Sequence, residues 1–255
     1  MPGAGCVTMR LLTFNIAYGT GGPRTMGKSL LSAHHYLRAP RRNIEKICRY
    51  IRGENPDIVA LVEVDTGSFR TGFTDQTKLI AENLDDAFIC SEIKYHEHSI
   101  GRKIPILRKQ ANAILCRENM PEIRYHYLPA GFKRLVIELE LPSFRLFLVH
   151  LALHGGTRRR QFLALQQIVS GSEKPCIITG DFNTLDGCYE LDRFCEVLDL
   201  MNVNSGNLPT WPVWKPEKQL DFVLCSRGVK IENFREPQVR CSDHLPLIVD
   251  FTPGA

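Results

Sequence analysis

Apolar residues fall into short blocks along the chain, and polar residues recur where those blocks end. Residues 9–16 (MRLLTFNI) and 57–64 (DIVALVEV) are apolar, rich in β-branched side chains and bounded by Gly, Asn or Pro, which predicts strands. Similar runs occupy 111–116, 134–141, 144–151, 175–179, 220–225 and 245–251. Ile44, Ile47, Cys48 and Ile51 have helical spacing, and that helix should stop near the breakers between Gly53 and Pro56. Asp75 is placed to cap a second helix that buries Leu79, Ile80 and Leu84. A third helix follows His154–Gly155–Gly156–Thr157, with Phe162, Leu165, Ile168 and Val169 on one face. A few helices among one or two strands, followed by consecutive strands, predict a mixed α/β (α+β) layered fold with helices covering sheet faces.

Composition narrows this picture only a little. The 255 residues are 44% hydrophobic, 24% charged and 9% aromatic, as in an ordinary globular protein, which excludes disorder and fibrous repeats. Lys plus Arg is 32 against 28 Asp plus Glu, a net charge of +4 that permits a polyanionic partner but is far from an architectural nucleic-acid binder. No composition break or linker divides the chain, so one domain is expected over 9–255, with 1–8 a frayed leader. The nine cysteines are scattered without a CxxC pair and read as reduced thiols of a cytoplasmic protein. MPGAGCVTMR resembles neither a signal nor a transit peptide, and no apolar window is long enough to span a membrane.

Two long polar segments, 17–42 and 92–110, are basic and carry His and Tyr, so they read as functional loops. The chemistry sits at strand ends. Asn15 ends LLTFN, Glu63 ends IVALVE, His150 ends LFLVH, and Asp181 and Asn183 follow CIITG. Asp221 lies in QLDFVL, and Asp243 and His244 precede LPLIVDF. Side chains at the lip of buried strands are held rigidly yet face solvent. Glu63, Asp181, Asp221 and Asp243, with the amide oxygens of Asn15 and Asn183, form an all-oxygen set suited to Mg²⁺ or Mn²⁺. With His150 and His244 the set has the parts for phosphoryl chemistry: a metal to neutralise phosphate oxygens, a base for water and donors for the transition state. Asp221 is better placed than the adjacent Asp243 to hold His244 in one tautomer, because neighbours on a strand point to opposite faces.

TFN (13–15), LVE (61–63), NAIL (112–115), VHL (149–151), GDFN (180–183), LDFV (220–223) and SDHLPL (242–247) resemble, in this order, the motifs of the endonuclease/exonuclease/phosphatase superfamily. The resemblance implies a deoxyribonuclease I-like, four-layered sandwich of two packed β-sheets flanked by helices, with its site at one end. It implies Glu63 as the principal Mg²⁺ ligand, assisted by Asn15 and Asp243. Asp181 would act on the attacking water or bind metal, and Asn183 would contact phosphoryl oxygens. His150 and His244 would bind or protonate the phosphate, with Asp221 paired to His244. Ala17 departs from the acidic residue often found there in exonuclease III-type apurinic endonucleases, and a His stands in VHL where those enzymes use Tyr, so abasic-site repair is disfavoured. A non-catalytic binder on this fold would lack Glu63, Asp181 or His244, and all three are present.

Other residues point toward the substrate. Arg158, Arg159 and Arg160 open a helix, where cations oppose the dipole, and are read as phosphate contacts or as a solvated basic face. Trp211 and Trp214 are read as platforms for a base or lipid head group, or as core. Asn112 is read as a support for Glu63 or the phosphate. The expected activity is metal-assisted hydrolysis of a phosphodiester in nucleic acid or a phospholipid head group, with inositol- or sugar-phosphate monoesters as the alternative. No obligate protein partner is implied.

Overall fold

All eight apolar runs form strands and all three helical spacings form helices. The computed structural model describes residues 7–21, 38–84, 87–94, 104–105, 107–117, 121–204, 206 and 208–254. In chain order the elements are β1 (Met9–Asn15), α1 (Arg41–Glu54), β2 (Ile58–Asp65), α2 (Gln76–Ala81), β3 (Phe88–Ile93), β4 (Gln110–Cys116), β5 (Glu122–Tyr127), β6 (Leu135–Glu140) and β7 (Arg145–His150). They continue with α3 (Gly155–Val169), β8 (Cys176–Asp181), α4 (Tyr189–Leu198), β9 (Leu200–Asn202), β10 (Asp221–Ser226), β11 (Val229–Arg235) and β12 (Leu247–Pro253). As expected, the Asp75 side chain accepts from the backbone N–H groups of Thr77 and Lys78 at the start of α2.

The strands make two six-stranded sheets, ordered β11-β12-β1-β2-β4-β3 and β5-β6-β7-β8-β10-β9. Within them β1 and β2 run parallel, as do β7 and β8. Side-chain alternation sorts the core into three layers. Leu11, Ile58, Ala60 and Val62 face Leu146, Leu148, Ile177 and Val223 between the sheets. Leu12, Phe14, Val59 and Leu61 pack on Ile44, Ile47 and Ile51 of α1 and Ile80 of α2. Phe147, Val149 and Ile178 pack on Phe162 and Leu165 of α3 and Phe194 of α4. The result is helix, sheet, sheet, helix, the layered sandwich the sequence implied.

The four strands without a sequence signal, β3, β5, β9 and β11, are the outermost strands of the two sheets. Each is half-exposed: Glu122, Arg124 and Tyr125 of β5 and Lys230, Glu232 and Asn233 of β11 face solvent. Edge strands need no continuous apolar face and are commonly charged against further pairing. Among the described residues, no helix is long and apolar enough to cross a membrane.

Candidate active site

At one end of the sandwich the inner faces change from apolar to polar. Along β1 the inward residues run Leu11, Thr13, Asn15; along β8, Ile177, Thr179, Asp181; along β7, Leu146, Leu148, His150; along β10, Cys225, Val223, Asp221; along β4, Cys116, Ile114, Asn112. His150 and Asp181 are register partners, as are Asp181 and Asp221, so three functional groups stand in one row across the second sheet. The first sheet meets that row directly. Thr13 and Thr179 share a hydroxyl contact of 2.7 Å, and Asn15 Nδ2 donates to Asp181 Oδ2 at 3.0 Å.

Glu63 reaches the site through a fault in its strand. The β2–β4 register shifts between Leu61 and Val64, and Glu63 has φ 59°. Val62 faces the other sheet while Val64 faces the helices, so Glu63 is an extra residue; without this bulge it would point at α1 with Val59 and Leu61. The Asn112 side-chain oxygen accepts the Glu63 N–H at 3.3 Å and pins the bulge. Among the described residues seven non-glycine residues have positive φ; Ala17, Tyr18, Glu63 and Asn183 lie in this region, while Asn55 and Asp199 end α1 and α4 and Phe73 lies in a turn. Strain of this kind costs ~1–3 kcal/mol per residue and concentrates where geometry serves chemistry.

The charged groups fall into two sets. His244 Nδ1 lies 2.7 Å from Asp221 Oδ2, which also accepts from the Thr210 hydroxyl at 2.6 Å. Burial disfavours the His244 imidazolium, but the charge and hydrogen bond of Asp221, with Asp243 and Asp181, lift its pKa to about 10. Asp181 accepts from the Asn183 N–H at 3.0 Å as well as from Asn15. Burial, reinforced by Asp221 and Glu63, raises the Asp181 pKa to about 6 against the pull of His244 and Lys133. The second set surrounds Glu63, whose Oε1 lies 3.8 Å from Lys94 Nζ, 3.9 Å from Lys133 Nζ and 3.8 Å from His150 Nε2. Burial alone would raise the Glu63 pKa, yet the charges of Lys94, Lys133, His244 and Arg70 hold it below the usual carboxylate range. Burial drives Lys94 down to about 7, and depresses His150 well below 6.5 together with the charges of Lys133 and Lys94.

These donors fit a hard divalent ion. Among the described residues the Glu63 carboxylate has no hydrogen bond, and Asp221 Oδ1 and His150 Nε2 are buried without a partner. Among the described residues the side-chain contact of the Asp243 carboxylate is Ser242 Oγ at 3.3 Å. Asp181, Asp221 and His244 also place ligand-type atoms within 4.8 Å of one another, but the close His244–Asp221 contact commits those two atoms to each other. The open oxygens are therefore those of Glu63 and Asp243, with Asn15 beside them, and the second oxygen of Asp221.

The structure brings together Asn15, Glu63, Asn112, His150, Asp181, Asn183, Asp221, Asp243 and His244, as the sequence suggested. Arg158 requires a correction. It is 1% exposed, and its guanidinium donates to Glu190 at 3.0 Å and to the carbonyls of Leu153 and Asn183 at 2.9 and 2.7 Å. Buried with its Nε and Nη1 donors committed, it holds the loop carrying Asn183. Arg159 and Arg160 are exposed on α3. Trp211 and Trp214 are half-buried and meet edge to face at 6.5 Å. Their segment braces the His244 turn, since Val213 N–H donates to the Asp243 carbonyl and Leu245 N–H to that of Thr210. Much of the two basic loops, 22–37 and 95–103, lies outside the described residues. Sequence reasoning missed Lys94, Lys133, Tyr18 and Thr210; of these, Tyr18 and Lys94 sit in the two segments, 17–42 and 92–110, read as functional loops.

Known proteins share this architecture. The chain is 31% identical over 156 residues to a UPF0294 protein of Klebsiella pneumoniae (strain 342), an alignment covering 56% of each chain, so just over half of that relative's length is matched. The fold superposes with a TM-score of 0.70 on an endonuclease/exonuclease/phosphatase from Beutenbergia cavernae DSM 12333, at 19% identity over 97% of this chain and 72% of that one. It superposes at 0.67 on the mannosyl-6-phosphatase of Bacteroides thetaiotaomicron VPI-5482, at 15% identity over 96% and 99% of the two chains. The endonuclease/exonuclease/phosphatase family model matches residues 12–244, spanning the strand ends that build the site, and the chain belongs to that family.

Proposed function

We propose that this chain is a divalent-metal-dependent hydrolase of phosphoesters. The observation that carries the reading is the convergence, at one mouth, of an ionised but unbonded Glu63 and a cationic His244 locked by Asp221 on an Asp181 whose pKa is about 6. Glu63 would hold Mg²⁺, or Mn²⁺ in its place, assisted by Asn15 and Asp243. Bound there, the ion supplies charge neutralisation at a non-bridging phosphate oxygen.

Asp181 is the group to take a proton from the attacking water. Its pKa near neutrality suits a general base, and the Asn15 and Asn183 donors fix its orientation. His244 is a cation throughout the neutral range and binds a phosphoryl oxygen or protonates the leaving oxygen. Thr210 holds Asp221 for this task.

A phosphodiester of nucleic acid or a phospholipid head group is the first substrate reading. A phosphomonoester is the second, favoured by Lys94 and Lys133, whose charges suit the extra negative charge of a terminal phosphate. The free thiols among the described cysteines support a reducing, cytoplasmic setting.

The test is a parallel screen of the full chain, stripped with EDTA and reloaded with Mg²⁺ or Mn²⁺, on plasmid DNA, RNA, phospholipid vesicles, bis-p-nitrophenyl phosphate and p-nitrophenyl phosphate. Hydrolysis that needs the metal and disappears in Asp181→Asn is expected. Turnover that survives both EDTA and the substitution, or no turnover of any phosphoester, overturns the reading.

A further inference from the structure

Lys94 has an unusual seat. Its side chain is 4% exposed, and Nζ lies 3.1 Å from the Tyr18 hydroxyl and 3.2 Å from His150 Nδ1. Burying an ammonium is costly unless its surroundings are built for it, and these are. Lys94 N–H donates to the Gln110 carbonyl at 3.0 Å, which fixes the backbone at the end of β3. Tyr18 is held at φ 56° by Gln76, whose Nε2 donates to the Tyr18 carbonyl at 2.7 Å, and the Arg70 guanidinium lies 4.2 Å from the Tyr18 ring centre.

The contact with His150 determines where that imidazole carries its proton. In its ammonium form, which prevails below about pH 7, Lys94 has three donors and no acceptor, so at 3.2 Å Nδ1 is then the acceptor; a proton on Nδ1 would set two donors against each other. An imidazole that accepts at Nδ1 carries its single proton on Nε2. His150 Nε2 is buried and has no hydrogen-bond partner among the described residues. It lies 3.4 Å from Asp181 Oδ2 and 3.8 Å from Glu63 Oε1, facing the space between the two acids.

We propose that Lys94 is a positioning residue that locks His150 in the Nε2–H tautomer, which makes His150 a neutral hydrogen-bond donor to a phosphoryl oxygen, and neither the base nor a metal ligand. The sequence left His150 free to bind the phosphate or to protonate it, and this contact selects binding. The second half of the proposal rests on the phosphoester-hydrolase reading; the tautomer itself does not.

The two halves have separate readouts. Long-range proton–nitrogen NMR of the full chain labelled with ¹⁵N, recorded at about pH 6 where Lys94 is an ammonium, with His150 assigned from the loss of its signals in His150→Gln, should show a protonated Nε2 and an unprotonated Nδ1. Lys94→Met should shift His150 toward a mixture of tautomers, while Lys94→Gln, which keeps an N–H donor, should restore the Nε2–H form. A wild-type Nδ1–H form, or an unchanged spectrum in a folded Lys94→Met, overturns the lock, and the wild-type spectrum decides even if that variant fails to fold. In catalysis, Lys94→Met should lower kcat ~10–100-fold with KM little changed, the size expected for a residue that orients another. His150→Gln, whose amide offers a donor, should retain at least ~10-fold more activity than His150→Ala. Equal losses in those two variants overturn the donor role. A wild type that hydrolyses no phosphoester defeats the hydrolase reading and leaves the NMR result standing.

Discussion

Glu63 and Asp65 stand two positions apart on the same strand, both are carboxylates close to cations, and Asp65 is buried while Glu63 is partly exposed. Asp65 is saturated: its two oxygens accept from the N–H groups of Gly67 and Ser68 at 3.0 and 2.6 Å, from the Ser68 hydroxyl at 2.7 Å, and from Arg70 Nε and Nη2 at 3.1 and 2.8 Å. Glu63 has cations only at 3.8 and 3.9 Å and no hydrogen bond among the described residues. An acid whose lone pairs are all committed holds a fold together. One kept ionised but uncommitted is ready for a ligand. Arg158, with its donors on backbone carbonyls, and Lys133, whose Nζ has no hydrogen bond among the described residues, repeat the contrast among the cations.

The sharpest way to break this comparison is to remove each acid in turn. Glu63→Gln should cut kcat/KM by ~10³-fold or more, while the melting temperature moves by less than ~3 °C. Asp65→Ala should do the reverse, because it strands Arg70 in the interior at a cost of ~3–5 kcal/mol. Its melting temperature should fall by ~6–20 °C while the folded fraction keeps most of its kcat. Matching losses of activity without loss of stability in both variants would erase the distinction.

Arg158→Met should also behave as structure, costing ~3–5 kcal/mol in urea unfolding, because Glu190 and the loop carbonyls lose their donor. Arg159→Ala and Arg160→Ala should stay within ~0.5 kcal/mol, as exposed residues do. A stable Arg158→Met with weakened substrate binding would return Arg158 to the substrate.

The His244–Asp221 pair sharpens the comparison through pH. Its pKa is raised from 6.5 to about 10, so its contribution to stability is complete below about 6.5 and is lost as pH rises toward 10. Urea midpoints of the wild type should therefore decline across that window, and those of Asp221→Asn should decline less. The smallest effect belongs to Arg10, which donates to Asp250 at 2.6 Å at the partly exposed join of β1 and β12. That hydrogen bond, against the cost of burial, lowers the Asp250 pKa, so its contribution is present above about 3.8 and is lost as acid protonates Asp250. Solvent screening limits it to under ~1 kcal/mol, and Arg10→Met should remove that acid-sensitive component.

The fold was legible where burial imposes a period. Central strands are apolar on at least one face along their whole length, whereas the edge strands β5 and β11 carry alternating charges that read as loop. The site was legible for the same reason: Asn15, His150, Asp181 and Asp221 extend apolar inner rows, so a polar residue appears where the period calls for a core residue. Glu63 was found by its motif, although its rotation into the site depends on a bulge that no local pattern announces. Lys94 and Lys133 come from non-periodic segments and acquire meaning only from what they face. Arg158 was misread through the helix dipole, although its spacing to Phe162, Leu165 and Val169 places it on the buried face of α3. Thr210 was overlooked beside two tryptophans, yet its hydroxyl is what holds Asp221.

The most direct test of the account is a calorimetric titration of Mn²⁺ into the metal-stripped full chain, wild type beside Glu63→Gln, with hydrolysis of the best substrate measured on the same samples. The wild type is expected to bind the ion and turn over, and Glu63→Gln to lose both while melting as the wild type does. Undiminished Mn²⁺ binding and turnover in Glu63→Gln would contradict it.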